Sequence, residues 1–242
     1  MSEYDDATYG DRIAEVYDEF YPELDHRVVP LLAELAGKGR ALELGIGTGR
    51  VGLPLQAAGV NVEGIDASAA MVARLRAKPG GERIPVAIGS FVDVNVEGEF
   101  SLVFVVFNTF FGLGSQDEQV RCFQGVAQRL APGGAFLVEA FVPDMARFVR
   151  GQNLSIGQMG PGHVMLDAAR LDRLNQRVVT QHVVLSEAGV RTYPVQLRFA
   201  WPAELDLMAR IAGLRLRDRW GGWGKEPFAV DSGGHISVYV RQ

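Results

Sequence analysis

Short apolar runs alternate with amphipathic stretches through the middle of the chain. Five of these runs have the length of buried strands and lie near residues 40–44, 61–65, 84–88, 101–107 and 134–141. Stretches with helical spacing separate them near residues 49–58, 68–77 and 116–131. This alternation predicts an α/β fold with a doubly wound parallel sheet and helices on both faces. Ligands of such sheets bind at the carboxyl ends of the strands.

The two flanking parts of the chain have other patterns. Apolar residues at helical spacing predict helices over about residues 11–20 and 25–36. Three runs rich in Val, Leu and Arg fill residues 163–200, and they are broken at Asn175 and at residues 187–189. Breaks of this kind predict the turns of an antiparallel meander.

The C-terminal part returns to the alternating pattern. Residues 202–212 predict a helix with proline in its first turn, and strands are expected near 214–220 and 235–241. We therefore expect a single domain with four segments. They are an N-terminal helical cap (1–39), a ligand-binding core (40–142), an antiparallel β insertion (143–200) and the final helix and strands (201–242).

Composition narrows the classes of partner. The formal net charge is −5, and no run of five Lys or Arg residues occurs, so a nucleic-acid partner is disfavoured. The single cysteine, Cys122, excludes an internal disulfide, and no His, Cys, Asp or Glu cluster has metal-ligand spacing. An acidic N-terminus and apolar runs too short for a bilayer predict a cytoplasmic protein without a membrane partner. The oligomeric state stays open, and a homodimer is one option.

A glycine loop and a carboxylate form the most specific local pattern. Gly45, Gly47 and Gly49 follow the first predicted strand, and Asp66 ends the second, 17 residues after Gly49. Glycines let backbone amides approach a ligand closely, and a carboxylate at the second strand suits the hydroxyls of a ribose. The pattern predicts a ligand that contains adenosine.

Two such ligands compete. Residues 47–52 formally match the dinucleotide fingerprint, but the apolar run ends just before Gly45, and the third glycine counted from there would fall at Arg50. Glu43, at the end of the first strand, would repel a pyrophosphate but suits an ammonium group. S-adenosylmethionine (SAM) carries adenosine and an ammonium group without phosphate, so it is favoured over NAD.

Three segments together point to a family. Residues 42–49, 64–71 and 130–134 resemble the first glycine motif, the acidic second-strand motif and the Leu-x-Pro-Gly-Gly turn of class I SAM-dependent methyltransferases. The resemblance covers about residues 40–142. It implies a mainly parallel seven-stranded sheet with an antiparallel last strand, and an insertion after the fifth strand that lies over the active site. An NAD-dependent oxidoreductase and a non-catalytic SAM-binding protein are the alternatives.

The resemblance also implies the cofactor-binding residues. Glycines 45, 47 and 49 would approach the methionine and ribose portions, Glu43 the ammonium group and Asp66 the ribose. Relatives often have an aspartate where this chain has Ser90, so adenine recognition departs from the family pattern here. The other implied cofactor contacts are Tyr9, Tyr17, Ala67, Met71, Gly89, Ser90, Phe91, Phe107 and Asn108.

The acceptor side depends on weaker signals. The candidate catalytic groups are Glu139, at the end of the fifth strand, and His163 and His182 in the insertion, although an ion pair or ordinary packing explains each as well. The candidate acceptor contacts are Tyr21, Phe111, Phe141 and Trp223. The expected reaction is in-line methyl transfer to an oxygen or nitrogen of a small natural-product-like molecule, with carbon left open.

Overall fold

Seven strands form one mixed sheet in the computed structural model, which describes residues 4–242. The strands are β1 (Arg40–Leu44), β2 (Asn61–Asp66), β3 (Val86–Ile88), β4 (Phe100–Val105), β5 (Leu130–Phe141), β10 (Leu214–Trp220) and β11 (Gly234–Arg241). Their spatial order is β10-β11-β5-β4-β1-β2-β3, and β11 runs antiparallel to both of its neighbours. The predicted sheet is confirmed. Its strand order reverses between β1 and β4, which opens a crevice at the carboxyl ends of the strands.

Helices cover both faces of this sheet, as the alternation predicts. The helices are α3 (Val28–Ala36), α4 (Gly52–Ala57), α5 (Ala69–Arg76), α6 (Gln116–Arg129) and α7 (Pro202–Ile211). Side chains of α3, α4 and α5 pack in one core cluster with Leu102 and Phe104 of β4. Those of α6 and α7 pack in the other with Val103 and Val105. Successive residues of β4 thus face opposite layers, as the pleat of a doubly covered strand requires.

The N-terminal cap differs from the prediction of one helix over residues 11–20. It forms two short helices, α1 (Thr8–Ile13) and α2 (Tyr17–Phe20), with a bend between them. Ile13 and Ala14 lie in a small apolar cluster with Met71 of α5 and with side chains of the insertion. The helical spacing was identified correctly, but the chain bends between the two helices, and the apolar residues of both pack into this one cluster.

The insertion is a separate four-stranded antiparallel sheet. It consists of β6 (Gln152–Gly160), β7 (His163–Asp172), β8 (Arg177–Ser186) and β9 (Gly189–Arg198), in that order. The turns expected at Asn175 and at residues 187–189 are confirmed. The prediction of three runs missed β6, because Leu154, Ile156 and Met159 are exposed and leave no buried periodicity.

Within residues 4–242, every helix is too short or too polar to cross a bilayer. The same residues contain no group of three His, Cys, Asp or Glu side chains arranged to hold a metal ion.

Candidate active site

A cavity of about 380 Å³ lies at the carboxyl ends of β1, β2 and β4. The glycine loop and the strand ends form its floor, and the N-terminal cap, β8 and β9 form its other walls. Twelve of its lining residues are among the predicted cofactor contacts: Tyr9, Tyr17, Glu43, Gly45, Gly47, Asp66, Ala67, Met71, Ser90, Phe91, Phe107 and Asn108. Tyr21 and His182, predicted for the acceptor side, line it too.

The glycines of the loop have separate tasks. Gly45, Gly47 and Gly49 all have positive φ, at +74°, +56° and +78°. A Cβ on Gly47 would project into space, with the Met71 Cε atom 3.5 Å away, so this glycine keeps the backbone open to a ligand. A Cβ on Gly49 would lie 2.3 Å from Leu75 Cδ1. Gly49 therefore permits packing of the loop on α5 and does not line the cavity.

Asp66 is held rigidly at the cavity wall. Its Oδ2 accepts a hydrogen bond from the Gly47 N–H (2.7 Å), and its Oδ1 accepts one from the Ser68 N–H (2.8 Å). Burial raises the pKa of this carboxyl group, and the two N–H donors oppose that shift. Because each carboxylate oxygen can accept a second hydrogen bond, the pair of oxygens fits two adjacent ribose hydroxyls.

Glu43 is a buried carboxyl group with an unused oxygen. The residue is 3% exposed, and its Oε2 has no hydrogen-bond partner. Burial raises the pKa of Glu43 well above its usual value, Asp66 adds to the shift, and Arg50 opposes it. A buried acceptor without a donor is costly, and a cationic donor within the cavity would relieve that cost. The ammonium group of SAM has the charge and the donors that Glu43 lacks.

The turn after β4 has a strained backbone conformation, and hydrogen bonds with neighbouring residues hold it in place. Phe107 and Asn108 both have positive φ, at 58° and 64°, and both line the cavity. Asn108 Oδ1 accepts a hydrogen bond from the Phe141 N–H (2.7 Å). Glu139 Oε2 accepts one from the Phe107 N–H (2.8 Å), and Glu139 Oε1 accepts one from Trp223 Nε1 (3.0 Å). Backbone in this conformation persists only where neighbours enforce it.

Two residues predicted for the acceptor side lie outside the lining of this cavity. Glu139 and Trp223 do not line the cavity, because both carboxylate oxygens of Glu139 are engaged behind the Phe107 turn, one of them by Trp223. This arrangement makes Glu139 a support for the cavity wall. The sequence correctly placed Glu139 near the carboxyl end of the fifth strand, but it could not indicate the direction of the side chain.

Replacing Glu139 with glutamine tests this support. The new amide can accept only at its carbonyl oxygen, so its NH2 group would face one of the two N–H donors. We expect a loss of stability of about 0.5–1.5 kcal/mol, the net contribution of one partly exposed hydrogen bond, together with weaker SAM binding through the displaced Phe107. Urea denaturation and calorimetric titration measure both, with Trp223→Phe as a variant that removes one donor only. Wild-type stability and affinity in Glu139→Gln would show that the support is dispensable.

Four further predicted residues lie outside the cavity, namely Phe111, Phe141, His163 and Gly89. Phe111 is fully buried in the core and packs edge-to-face on Phe141, with ring centroids 5.0 Å apart. His163 begins β7 at the turn from β6, where its ring lies beside Gly160. Gly89 precedes the cavity-lining Ser90 but does not itself line the cavity. Short-range sequence signals identify the neighbourhood of these residues, whereas the packing of each side chain is decided by distant parts of the chain.

Aromatic side chains of the cap close one wall of the cavity. Tyr21 packs on Tyr17 and on Phe107, with centroid distances of 5.0 Å in each case. The Tyr9 hydroxyl lies 3.5 Å from the Tyr21 hydroxyl. Aromatic faces attract cations, so this wall is suited to a sulfonium group.

Polar contacts hold the N-terminal cap against the glycine loop and against the loop that follows Asp66. Asp18 Oδ1 accepts a hydrogen bond from Thr48 Oγ1 (2.6 Å), and its other oxygen pairs with Lys78 Nζ at 2.7 Å. Asp11 Oδ1 accepts one from Ser68 Oγ (2.6 Å). The cap is thereby tied to both sides of the loops that carry the glycines and Asp66.

Sequence reasoning missed several residues of the cavity wall. Arg50 places its guanidinium carbon 4.4 Å from the centroid of the Phe107 ring, and its position directly after the glycine loop could have indicated it. Asp5 and Asp6 also line the cavity, as do Thr180 and Gln196 of the insertion. These four residues carry no motif, and only the tertiary structure brings them to the site.

The open α/β sheet with its cavity at the strand-order reversal defines a ligand-binding protein of the doubly wound class. Comparison with known proteins narrows this class. The methyltransferase domain family matches residues 41–134. The chain is 30% identical over 240 residues to the cypemycin N-terminal methyltransferase of Streptomyces sp, with 94% of this chain and 98% of the relative covered.

Solved structures agree. The CcbJ methyltransferase from Streptomyces caelestis is 40% identical and superposes with a TM-score of 0.92, covering 98% of this chain and 99% of that one. SAM-bound CalS10, an amino pentose methyltransferase from Micromonospora echinaspora, is 22% identical and shares the fold at a TM-score of 0.69, with 100% and 99% covered. The chain belongs to the class I SAM-dependent methyltransferases. It is a SAM-dependent methyltransferase, and SAM is its cofactor.

Proposed function

We propose that this enzyme transfers the methyl group of SAM to an amine nitrogen of a small natural-product-like molecule. When bound, SAM supplies an electrophilic methyl group on a positively charged sulfur. The protein has to hold that methyl group in line with the acceptor nitrogen, and positioning alone lowers such a barrier substantially.

The cofactor half of the proposal follows from the cavity floor. Asp66 would bind the ribose hydroxyls, and the carboxyl group of Glu43, which lines the cavity, would receive the ammonium group. The open backbone at Gly47 would let the cofactor pass close to the loop. Four neighbouring residues of the cavity would surround the adenine, namely Ala67, Met71, Ser90 and Phe91.

The negative charge of the cavity wall is the observation that favours nitrogen as the methyl acceptor. Within the described chain, the lining residues include four carboxylates, Asp5, Asp6, Glu43 and Asp66, against one cation, Arg50. Among the described lining residues, the cap contributes Asp5 and Asp6, and neither the cap nor the insertion contributes a Lys or Arg. Such a wall favours a protonated amine over an anionic acceptor. The similarity to the cypemycin N-terminal methyltransferase supports the same choice.

Matched pairs of acceptors test the proposal. The enzyme is incubated with deuterated-methyl SAM and with small amines, for example a short peptide with a free N-terminus and an amino sugar, each beside its N-acetylated counterpart. We expect S-adenosylhomocysteine release with the free amines only, at a rate that rises with pH as the ammonium group loses its proton. Fragment masses then locate the methyl group. A label found on oxygen or carbon, or equal turnover of the acetylated compounds, would contradict the choice of nitrogen.

A further inference from the structure

An aspartate–histidine pair lies where the insertion sheet meets the cavity. Asp167 on β7 and His182 on β8 are cross-strand partners, and Asp167 Oδ1 lies 2.6 Å from His182 Nδ1. The His182 side chain is 16% exposed and lines the cavity, whereas Asp167 stands behind it and is 29% exposed. The carboxylate therefore engages one ring nitrogen, and Nε2 is the nitrogen available to a bound acceptor.

The backbone of β6 makes room for this carboxylate. The pairing of β6 with β7 shifts register between Ile156 and Gln158, which leaves Gly157 at an irregularity of the strand. A Cβ on Gly157 would lie 2.7 Å from Asp167 Oδ2. Any larger residue at position 157 would push the carboxylate, so the glycine and the irregular strand both preserve the geometry of the pair.

We propose that Asp167 is a positioning residue that keeps His182 protonated on Nδ1, so that His182 Nε2 removes the proton from the acceptor. This role rests on the proposed function, in which the acceptor enters as an ammonium ion. A carboxylate hydrogen-bonded to Nδ1–H selects this tautomer and stabilises the imidazolium that forms.

The proton and electron balance is complete. The ammonium ion gives one proton to Nε2, and the imidazolium keeps its Nδ1–H bonded to Asp167. The nitrogen lone pair then forms the N–CH3 bond while the CH3–S bond breaks and its electron pair stays on sulfur. The products are S-adenosylhomocysteine and the methylated amine as its ammonium ion, which carries the positive charge that left sulfur, and His182 returns its proton to solvent.

Other titratable groups around the ring do not compete for this role. Tyr9 on α1 lies with its ring centroid 6.5 Å from that of His182, Tyr21 follows α2, and Tyr193 is the cross-strand neighbour of His182 on β9. Burial raises the pKa of both Tyr9 and Tyr21, so these two phenols stay protonated and can donate hydrogen bonds to an acceptor.

The first test reads the tautomer and needs no acceptor. In 15N-histidine-labelled protein with S-adenosylhomocysteine bound, we expect His182 to be protonated on Nδ1 and unprotonated on Nε2 at alkaline pH. In Asp167→Asn the amide donates to Nδ1, and the proton should move to Nε2, as is known for the corresponding change in serine proteases. His182 found with its proton on Nε2 in the wild-type protein would overturn the proposal.

The second test reads single-turnover rates with the amine found in the acceptor screen. We expect His182→Asn to lower the methyl-transfer rate at least about 100-fold at neutral pH, with a deficit that shrinks as rising pH deprotonates the amine in solution, and Asp167→Asn to lower the neutral-pH rate at least about tenfold. SAM affinity should stay at the wild-type value in both. The matched controls, His26→Asn at an exposed position and Asp172→Asn at the end of β7, should keep the wild-type rate.

Gly157→Ala provides a variant outside the cavity. Its added methyl group crowds Asp167 alone, so a partial loss of rate with unchanged SAM affinity is expected. Full activity of His182→Asn would overturn the role of the pair. If the screen yields only an oxygen acceptor, the choice of nitrogen is wrong, and the same variants assayed with that acceptor still decide whether the pair takes up its proton.

Discussion

Asp66→Ala is expected to weaken SAM binding about 10- to 100-fold, which corresponds to about 1.4–2.8 kcal/mol. Asp66 is held by the N–H groups of Gly47 and Ser68, so its free lone pairs are preorganised for the ribose hydroxyls. Charge-assisted hydrogen bonds of this kind contribute about 1.5–3 kcal/mol. Removing the side chain also leaves the two N–H groups without their acceptor, and the glycine loop keeps only its backbone hydrogen bonds to Ile65 of β2.

Calorimetric titration with SAM and S-adenosylhomocysteine measures this effect. Asp93→Ala is the matched control. Asp93 belongs to the same segment of the chain (residues 40–142), but its carboxylate pairs with Arg121 at the surface and does not line the cavity. Thermal unfolding of both variants separates loss of affinity from loss of fold. A folded Asp66→Ala protein with wild-type affinity would refute the assignment of Asp66 to the ribose.

Glu43→Gln is expected to have opposite effects on stability and on binding. In the free protein, the ionised carboxylate is buried with an unpaired oxygen, so glutamine should stabilise the fold at alkaline pH by about 1–2 kcal/mol, a few degrees in Tm. The same change removes the anionic partner of the ammonium group, and we expect at least about tenfold weaker SAM binding. A buried charge that costs stability in the free protein is typical of a site organised to bind its ligand.

The raised pKa of Glu43 fixes the direction in which protein stability and SAM binding change with pH. The pKa of Glu43 is higher in the folded chain than in the unfolded chain, because burial disfavours the charged form. Folding therefore takes up a proton between these two pKa values, and the contribution of Glu43 to stability falls as pH rises through this window. SAM binding favours the carboxylate, so it should release a proton where the free protein holds Glu43 protonated.

Titrations in buffers with different ionisation enthalpies measure that proton, and thermal unfolding from pH 6 to 9 measures the stability. The Glu43→Gln protein should lose both the proton release and this part of the pH dependence. Equal heats in all buffers for the wild-type protein, with equal stability slopes for the two proteins, would show that Glu43 is already ionised in the free site.

The core of the fold was predictable because its signals are local. The alternation of apolar runs and helical stretches over residues 40–142 follows from strands and helices that are buried in sequence order, and β1, β2, β4 and β5 lie close to their expected positions. The insertion was less predictable. Its strand β6 presents exposed apolar residues and an irregular pairing, so neither alternation nor burial marked it.

The predicted acceptor-side residues show even more clearly which features the sequence could predict and which it could not. His163 and His182 had equal standing as candidate bases, since a histidine in a strand carries no sign of its surroundings. Only the pairing of β7 with β8 sets His182 against Asp167 at the cavity, while His163 remains at the β6–β7 turn. The same holds for Glu139, whose position at the end of β5 was correct but whose carboxylate faces the Phe107 N–H and Trp223.

The sequence by itself determined the doubly wound core, the glycine loop and Asp66 as the ribose candidate, because backbone conformation and a strand end are encoded within a few residues. The tertiary structure decided which walls surround the cavity and which side chains face it. Contacts between residues far apart in the chain, such as Asp18 with Thr48 or Asp167 with His182, depend on strand register and element packing, and those leave no periodic signal in the sequence.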